Sequence, residues 1–90
     1  MLVKPKKWAI MFPKGNMLIK TEAELGALIR QRRKSQKLSI ADLAMLVPCS
    51  PRLLSELERG KRGVNIGVTL QIMALLGFVV DVKGKEEIRR

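Results

Sequence analysis

The chain changes its hydrophobic rhythm along its length. "WAIMFPKGNMLIK" (8–20) sets two short apolar runs around Pro13-Lys14-Gly15-Asn16, which is hairpin chemistry. An isolated hairpin is marginal, so residues 1–20 read either as a β-hairpin or as a basic, partly disordered arm. Met17 offers an internal start that would make the first segment dispensable. From "TEAELGALIRQRRK" the period is helical. Leu25, Leu28, Ile29 and Arg32 recur at i, i+3, i+4 and i+7, and Thr21 with Glu24 has capping-box spacing. This helix is expected over about 22–34, with Arg30, Arg32, Arg33 and Lys34 near the negative end of its dipole. Ser39, with Asp42 three residues on, opens a second helix, "IADLAMLV", whose inner side is Ile40, Leu43 and Ala44. Ser50 caps a third, with Pro51 at its first position, Leu54 and Leu57 inside, and Gly60 at its end.

Asn65 caps a fourth helix, 66–76, closed by Gly77. Its residues "IGVTLQIMALL" are apolar nearly all round, with only Thr69 and Gln71 polar. Such a helix is expected to be buried on two sides, by its own domain and by a second subunit. "FVVDVK" follows as a strand in which Phe78, Val80 and Val82 alternate onto one face. Its partner is the N-terminal hairpin or the same strand of another copy. The pattern divides the chain into a basic arm or hairpin (1–20), one folded domain (21–83) and a solvated tail (84–90).

Ninety residues suffice for one domain. Apolar residues make up 47% but aromatics only 3%, so aliphatic side chains must fill the core, which favours helices. A net charge of +10 attracts phosphate, acidic protein or anionic lipid without choosing among them. One cysteine, Cys49, and no histidine argue against a disulfide framework, a zinc site and histidine acid–base chemistry. No cofactor is implied. No apolar run is long enough to span a membrane, and "WAIMF", five residues before Pro13, is too short for a signal-peptide core. The chain reads as a soluble cytoplasmic protein.

"LSIADLAMLVPCSPRLLSELERGKR" (38–62) resembles the helix-turn-helix of the Cro/phage-repressor (XRE) family through Leu43-Ala44, Ser50, Leu54-Ser55, Leu57-Glu58 and Gly60. "MLIKTEAELGALIRQRRK", that motif, "LSELERGK" and "LLGFVVDV" together are similar to HipB-like antitoxins, small dimeric repressors that bind a HipA-type kinase toxin. The resemblance implies a mainly α fold, a helix-turn-helix bundle of about four helices with the C-terminal strand and, optionally, the N-terminal hairpin. It also implies that Arg33 pairs with Glu58, where the residues alone would allow ordinary surface charges. Pro48 stands where the family places a turn glycine and cannot reach positive φ. The second helix is therefore expected to stop by Leu46, with Val47 extended.

In such motifs the second helix of the pair lies in the major groove with its N-terminal side chains toward base edges. Arg52 is then the foremost base reader, since a guanidinium grips guanine O6 and N7. Glu56 is placed to accept from cytosine N4 or to orient Arg52. Leu53 can touch a thymine methyl, and Pro51 is at most an apolar contact. Ser39, Ser50, Ser55, Lys61, Arg62 and Asn65 are the expected phosphate contacts, Lys61 and Arg62 being otherwise a solvated turn. Ile40 replaces a glutamine that the family often uses near phosphate. The leading reading is a dimeric operator-binding antitoxin on an inverted-repeat site in double-stranded DNA. A free-standing repressor and a module whose basic face binds an acidic protein are the alternatives. An enzyme is disfavoured, because Ser50, Ser55 and Glu58 are accounted for by capping and packing.

Overall fold

The computed structural model describes residues 17–85. They form helices α1 (Glu22–Ser35), α2 (Ile40–Leu46), α3 (Pro51–Glu58) and α4 (Ile66–Leu75). No strand occurs among the described residues. The expected C-terminal strand is not formed in the single chain: residues 78–84 are irregular, because a strand exists only against a hydrogen-bonded neighbour. The expected hairpin lies mostly outside the described residues, and its second arm, 17–20, is irregular.

Each of these four helices starts at a side-chain cap. Thr21 Oγ1, Ser39 Oγ, Ser50 Oγ and Asn65 Oδ1 accept from the amides of Glu24, Asp42, Leu53 and Val68 at 3.0–3.1 Å. Each bond satisfies an amide that has no partner within its helix. At Ser39 the box closes, with the Ser39 amide donating to Asp42 Oδ2 at 3.1 Å. That bond, seconded by the one to the Ser39 side chain, holds the Asp42 carboxyl below the usual carboxylate range. At Thr21 it stays open: Glu24 Oε1 accepts from the Lys20 amide instead, at 2.6 Å.

Three helices end alike. Lys37 (φ 60°), Gly60 (83°) and Gly77 (90°) take the left-handed conformation. The next amides, of Leu38, Lys61 and Phe78, then donate back to Arg33, Glu56 and Met73 carbonyls at 3.2, 3.0 and 2.9 Å. This is the Schellman arrangement. After α2 the equivalent position is Pro48, whose ring forbids positive φ. Helix α2 stops at Leu46 and Val47 is extended, at φ −111° and ψ 111°.

The core takes one completely buried residue from each helix, Ile29, Leu43, Leu54 and Ile72, with Leu76 just past α4. Ala44, Val47, Leu57 and Met73 fill in around them. Helix α3 packs on both α1 and α2. A Cβ at Gly26 would collide with the Leu57 and Glu58 carbonyls, so the glycine is what lets α1 come this close to α3. Beside that approach, Arg33 Nε and Nη2 donate to Glu58 Oε2 and Oε1 at 2.6 and 3.0 Å, and Nη1 donates to the Leu38 carbonyl at 2.7 Å. Both side chains are nearly inaccessible, at 8% and 5% exposed. The pair ties α3 to α1 and to the turn leading into α2.

Arg32 performs a second tie. Its Nε donates to the Leu76 carbonyl at 2.8 Å and Nη2 to the Gly77 carbonyl at 3.4 Å. The guanidinium lies 4.8 Å from the centroid of the Phe78 ring, within cation–π range. Gln36 Nε2 shares the Leu76 carbonyl at 3.0 Å. The end of α4 is thus capped by α1.

Candidate nucleic-acid interface

Held from behind by the core, α3 turns Pro51 and Arg52 to solvent. Proline at the first helical position has no amide to leave unsatisfied, and Ser50 before it is extended, at φ −79° and ψ 149°. A shallow groove runs from this end of α3 to the loop before α4, lined among others by Ser50, Arg52, Leu53, Glu56, Lys61 and Asn65. Leu53 is half-buried in this lining, so it presents less surface than a residue pointing straight out.

Glu56 is the hub of the groove. Arg52 Nε lies 3.2 Å from its Oε2, and Lys61 Nζ lies 3.2 Å from its Oε1. Hydrogen bonds from Lys61 first and Arg52 second keep the Glu56 carboxyl below its usual range, so it is ionised at neutral pH. Arg52 remains 86% exposed, Glu56 only 20%. Arg62 is exposed and 4.0 Å from Glu22, an ion pair that contributes little in water.

The hydroxyls and amide expected to meet phosphate have capping duties. Ser39, Ser50 and Asn65 each accept from a helix amide, which leaves the Ser50 proton free to donate outward. Ser55 is half-buried, and its Oγ accepts from Arg59 Nη1 at 2.8 Å. The structure thus brings Ser50, Arg52, Glu56, Lys61 and Asn65 to one groove and keeps Ser55 engaged within α3. Two cations outside this groove lining, not singled out by sequence, are also exposed: Lys37, two residues before the Ser39 cap, and Arg59. Their position in the loops beside capped helices was the available signal.

No cluster of three or more potential metal ligands occurs among the described residues. Burial pushes the Cys49 thiol up, away from thiolate reactivity. No helix of the described residues is long and apolar enough to cross a membrane. Apolar side chains are nevertheless exposed in α4 (Ile66, Leu70, Leu75) and after it (Val79, Val80, Val82). Phe78, by contrast, is half-buried against the core beneath Arg32.

The chain is similar in sequence to known proteins. A family model described as "Helix-turn-helix domain" matches residues 24–83, from within α1 to the segment following α4. Over 72 residues the chain is 39% identical to the uncharacterized HTH-type transcriptional regulator y4mF of Sinorhizobium fredii, an alignment that covers 80% of this chain and 95% of that protein.

Proposed function

The chain belongs to the helix-turn-helix domain family, and from that premise we propose that it is a sequence-specific DNA-binding transcriptional repressor. The observation that carries this reading is the cationic groove at the exposed N-terminal end of α3, where Arg52 stands clear of the core and Lys61 flanks it. Helix α3 enters the major groove, Arg52 reads a guanine edge, and Leu53 and Pro51 supply apolar contact. Ser39, Ser50, Ser55, Lys61, Arg62 and Asn65 hold the phosphates on either side. The net charge of +10 gives the long-range attraction.

The working unit is a homodimer, with residues 21–83 as the DNA-binding and dimerisation domain. Support comes from the exposed apolar residues of α4 and from Val80 and Val82 in a segment that lacks a partner strand among the described residues. Its operator is an inverted repeat. The similarity of the α1, α3 and C-terminal sequences to HipB-like antitoxins supports a narrower role, in which the protein represses its own operon and binds a HipA-type kinase toxin in the cytoplasm. Selection from a random DNA pool tests the core of this proposal: a recurring two-fold symmetric site is expected, and recovery of no preferred sequence would reject it. Co-purification with a kinase encoded beside the gene tests the antitoxin role separately.

A further inference from the structure

Glu56 raises a question that base reading does not answer. A carboxylate in a phosphate-binding groove repels its ligand, and both of this one's oxygens are already engaged, by Arg52 and by Lys61. Helix stability does not call for it either. Along a helix an acid four residues before a cation is the favourable order, because it also suits the dipole. Here the cation comes first: Arg52 is in the first turn of α3 and Glu56 in the second.

We propose that Glu56 determines specificity by positioning Arg52 and restraining Lys61, rather than by accepting from a base. The inference rests on the DNA-binding reading above. Glu56 bonds Arg52 through Nε, which leaves both terminal nitrogens for an end-on bidentate grip on guanine. That bond restrains the guanidinium, and neither terminal nitrogen is bonded to the carboxylate. The other oxygen holds Lys61 Nζ, so a phosphate must compete with Glu56 for that ammonium and approach a negative charge to do so. Random DNA meets this cost without compensation. A site with the right base edge recovers it through a pre-oriented Arg52. Glu56 therefore lowers affinity for all DNA and widens the gap between right and wrong sequences.

The test is an anisotropy titration of the full chain against three duplexes: the selected site, that site with the Arg52-read base pair exchanged, and a random sequence. Glu56→Gln, with the charge removed, should bind random DNA about fivefold tighter per protomer. Its salt dependence should steepen by about one unit for each phosphate that Lys61 newly neutralises. The ratio between selected and exchanged sites should fall toward that of Arg52→Ala. In a Lys61→Ala background the tighter binding of random DNA should largely vanish. Glu56→Asp keeps the charge but shortens the reach, so its affinity for random DNA should stay low while the ratio still falls. A Glu56→Gln protein that binds random DNA no tighter, or keeps the wild-type ratio, overturns the proposal. So does one that loses only the selected site, which is the behaviour of a base acceptor. Equal binding of all three duplexes by the wild type, or no binding, instead overturns the DNA-reading premise and the proposal with it.

Discussion

At the scale of single residues, the molecule contains two kinds of ion pair with opposite consequences. Arg33–Glu58 is enclosed and bidentate. Removing either partner leaves a charge that cannot reach water, so Glu58→Ala should lower unfolding free energy by about 3–5 kcal/mol in urea titrations. A loss below about 1 kcal/mol, the range of an exposed pair, would show that the site is wet. Arg52–Glu56 and Lys61–Glu56 are open to solvent at the cation. Breaking them should hardly change stability but should change binding. Arg52→Ala is expected to cost on the order of 1–3 kcal/mol on the selected site and to flatten preference at one base pair per half-site. Neutralising Arg62 should weaken all sequences alike and reduce the salt slope by about one unit for each phosphate left unneutralised, and neutralising Lys61, which Glu56 already restrains, should do the same by a smaller amount. Gel-shift titrations over a range of salt separate the two classes. A Lys61→Ala protein with altered base preference would reverse the assignment.

At the scale of elements, the residues that start and stop helices make local bonds that the sequence displays directly. Thr21, Ser39, Ser50 and Asn65 cap within three residues of themselves, and Pro48 forces the early end of α2 through its own ring. Two features resist such reading because their causes are not local. Arg32 falls on the apolar stripe of α1 by spacing, yet its acceptor at Leu76 is 44 residues away. Lys37 occupies a left-handed position that its side chain does nothing to announce. Since that conformation costs a non-glycine residue roughly 1–2 kcal/mol, Lys37→Gly should raise thermal stability, by about 1 kcal/mol once the more flexible unfolded chain is included. The Ser39 cap adds a pH signature. Asp42 titrates below its unfolded value, so its contribution is present above the unfolded pKa of about 3.9 and is lost as pH falls through the folded one. Wild type should therefore exceed Asp42→Asn in stability at neutral pH, and the gap should close in acid. A gap that does not narrow as the pH is lowered through the carboxylate range would mean the carboxylate charge is not its source.

At the scale of the whole molecule, one chain leaves its most apolar helix half covered. Thr69, Ile72 and Met73 face the core, while Ile66, Leu70 and Leu75 remain exposed. The segment after it exposes Val79, Val80 and Val82 with no ladder partner among the described residues. Arg32 fixes where that segment leaves α4 and holds Phe78 inward, while Val80 and Val82 stay exposed. Pairing the two copies there would satisfy the backbone and cover the valines together. It would also couple two α3 helices at a fixed separation, which gives an operator with half-sites about 34 Å apart centre to centre. The second half-site then binds at high effective concentration, an enhancement of roughly a hundredfold or more. Val80→Lys places a charge in each half of that pairing and should produce a folded monomer. The monomer should keep the helical signal in circular dichroism, lose the cooperative enhancement on the full site, and bind an isolated half-site as wild type does. Sedimentation of the wild type as a monomer at micromolar concentration would sink the dimer. A dimeric Val80→Lys protein would move the interface off the C-terminal segment and onto Ile66 and Leu70 of α4.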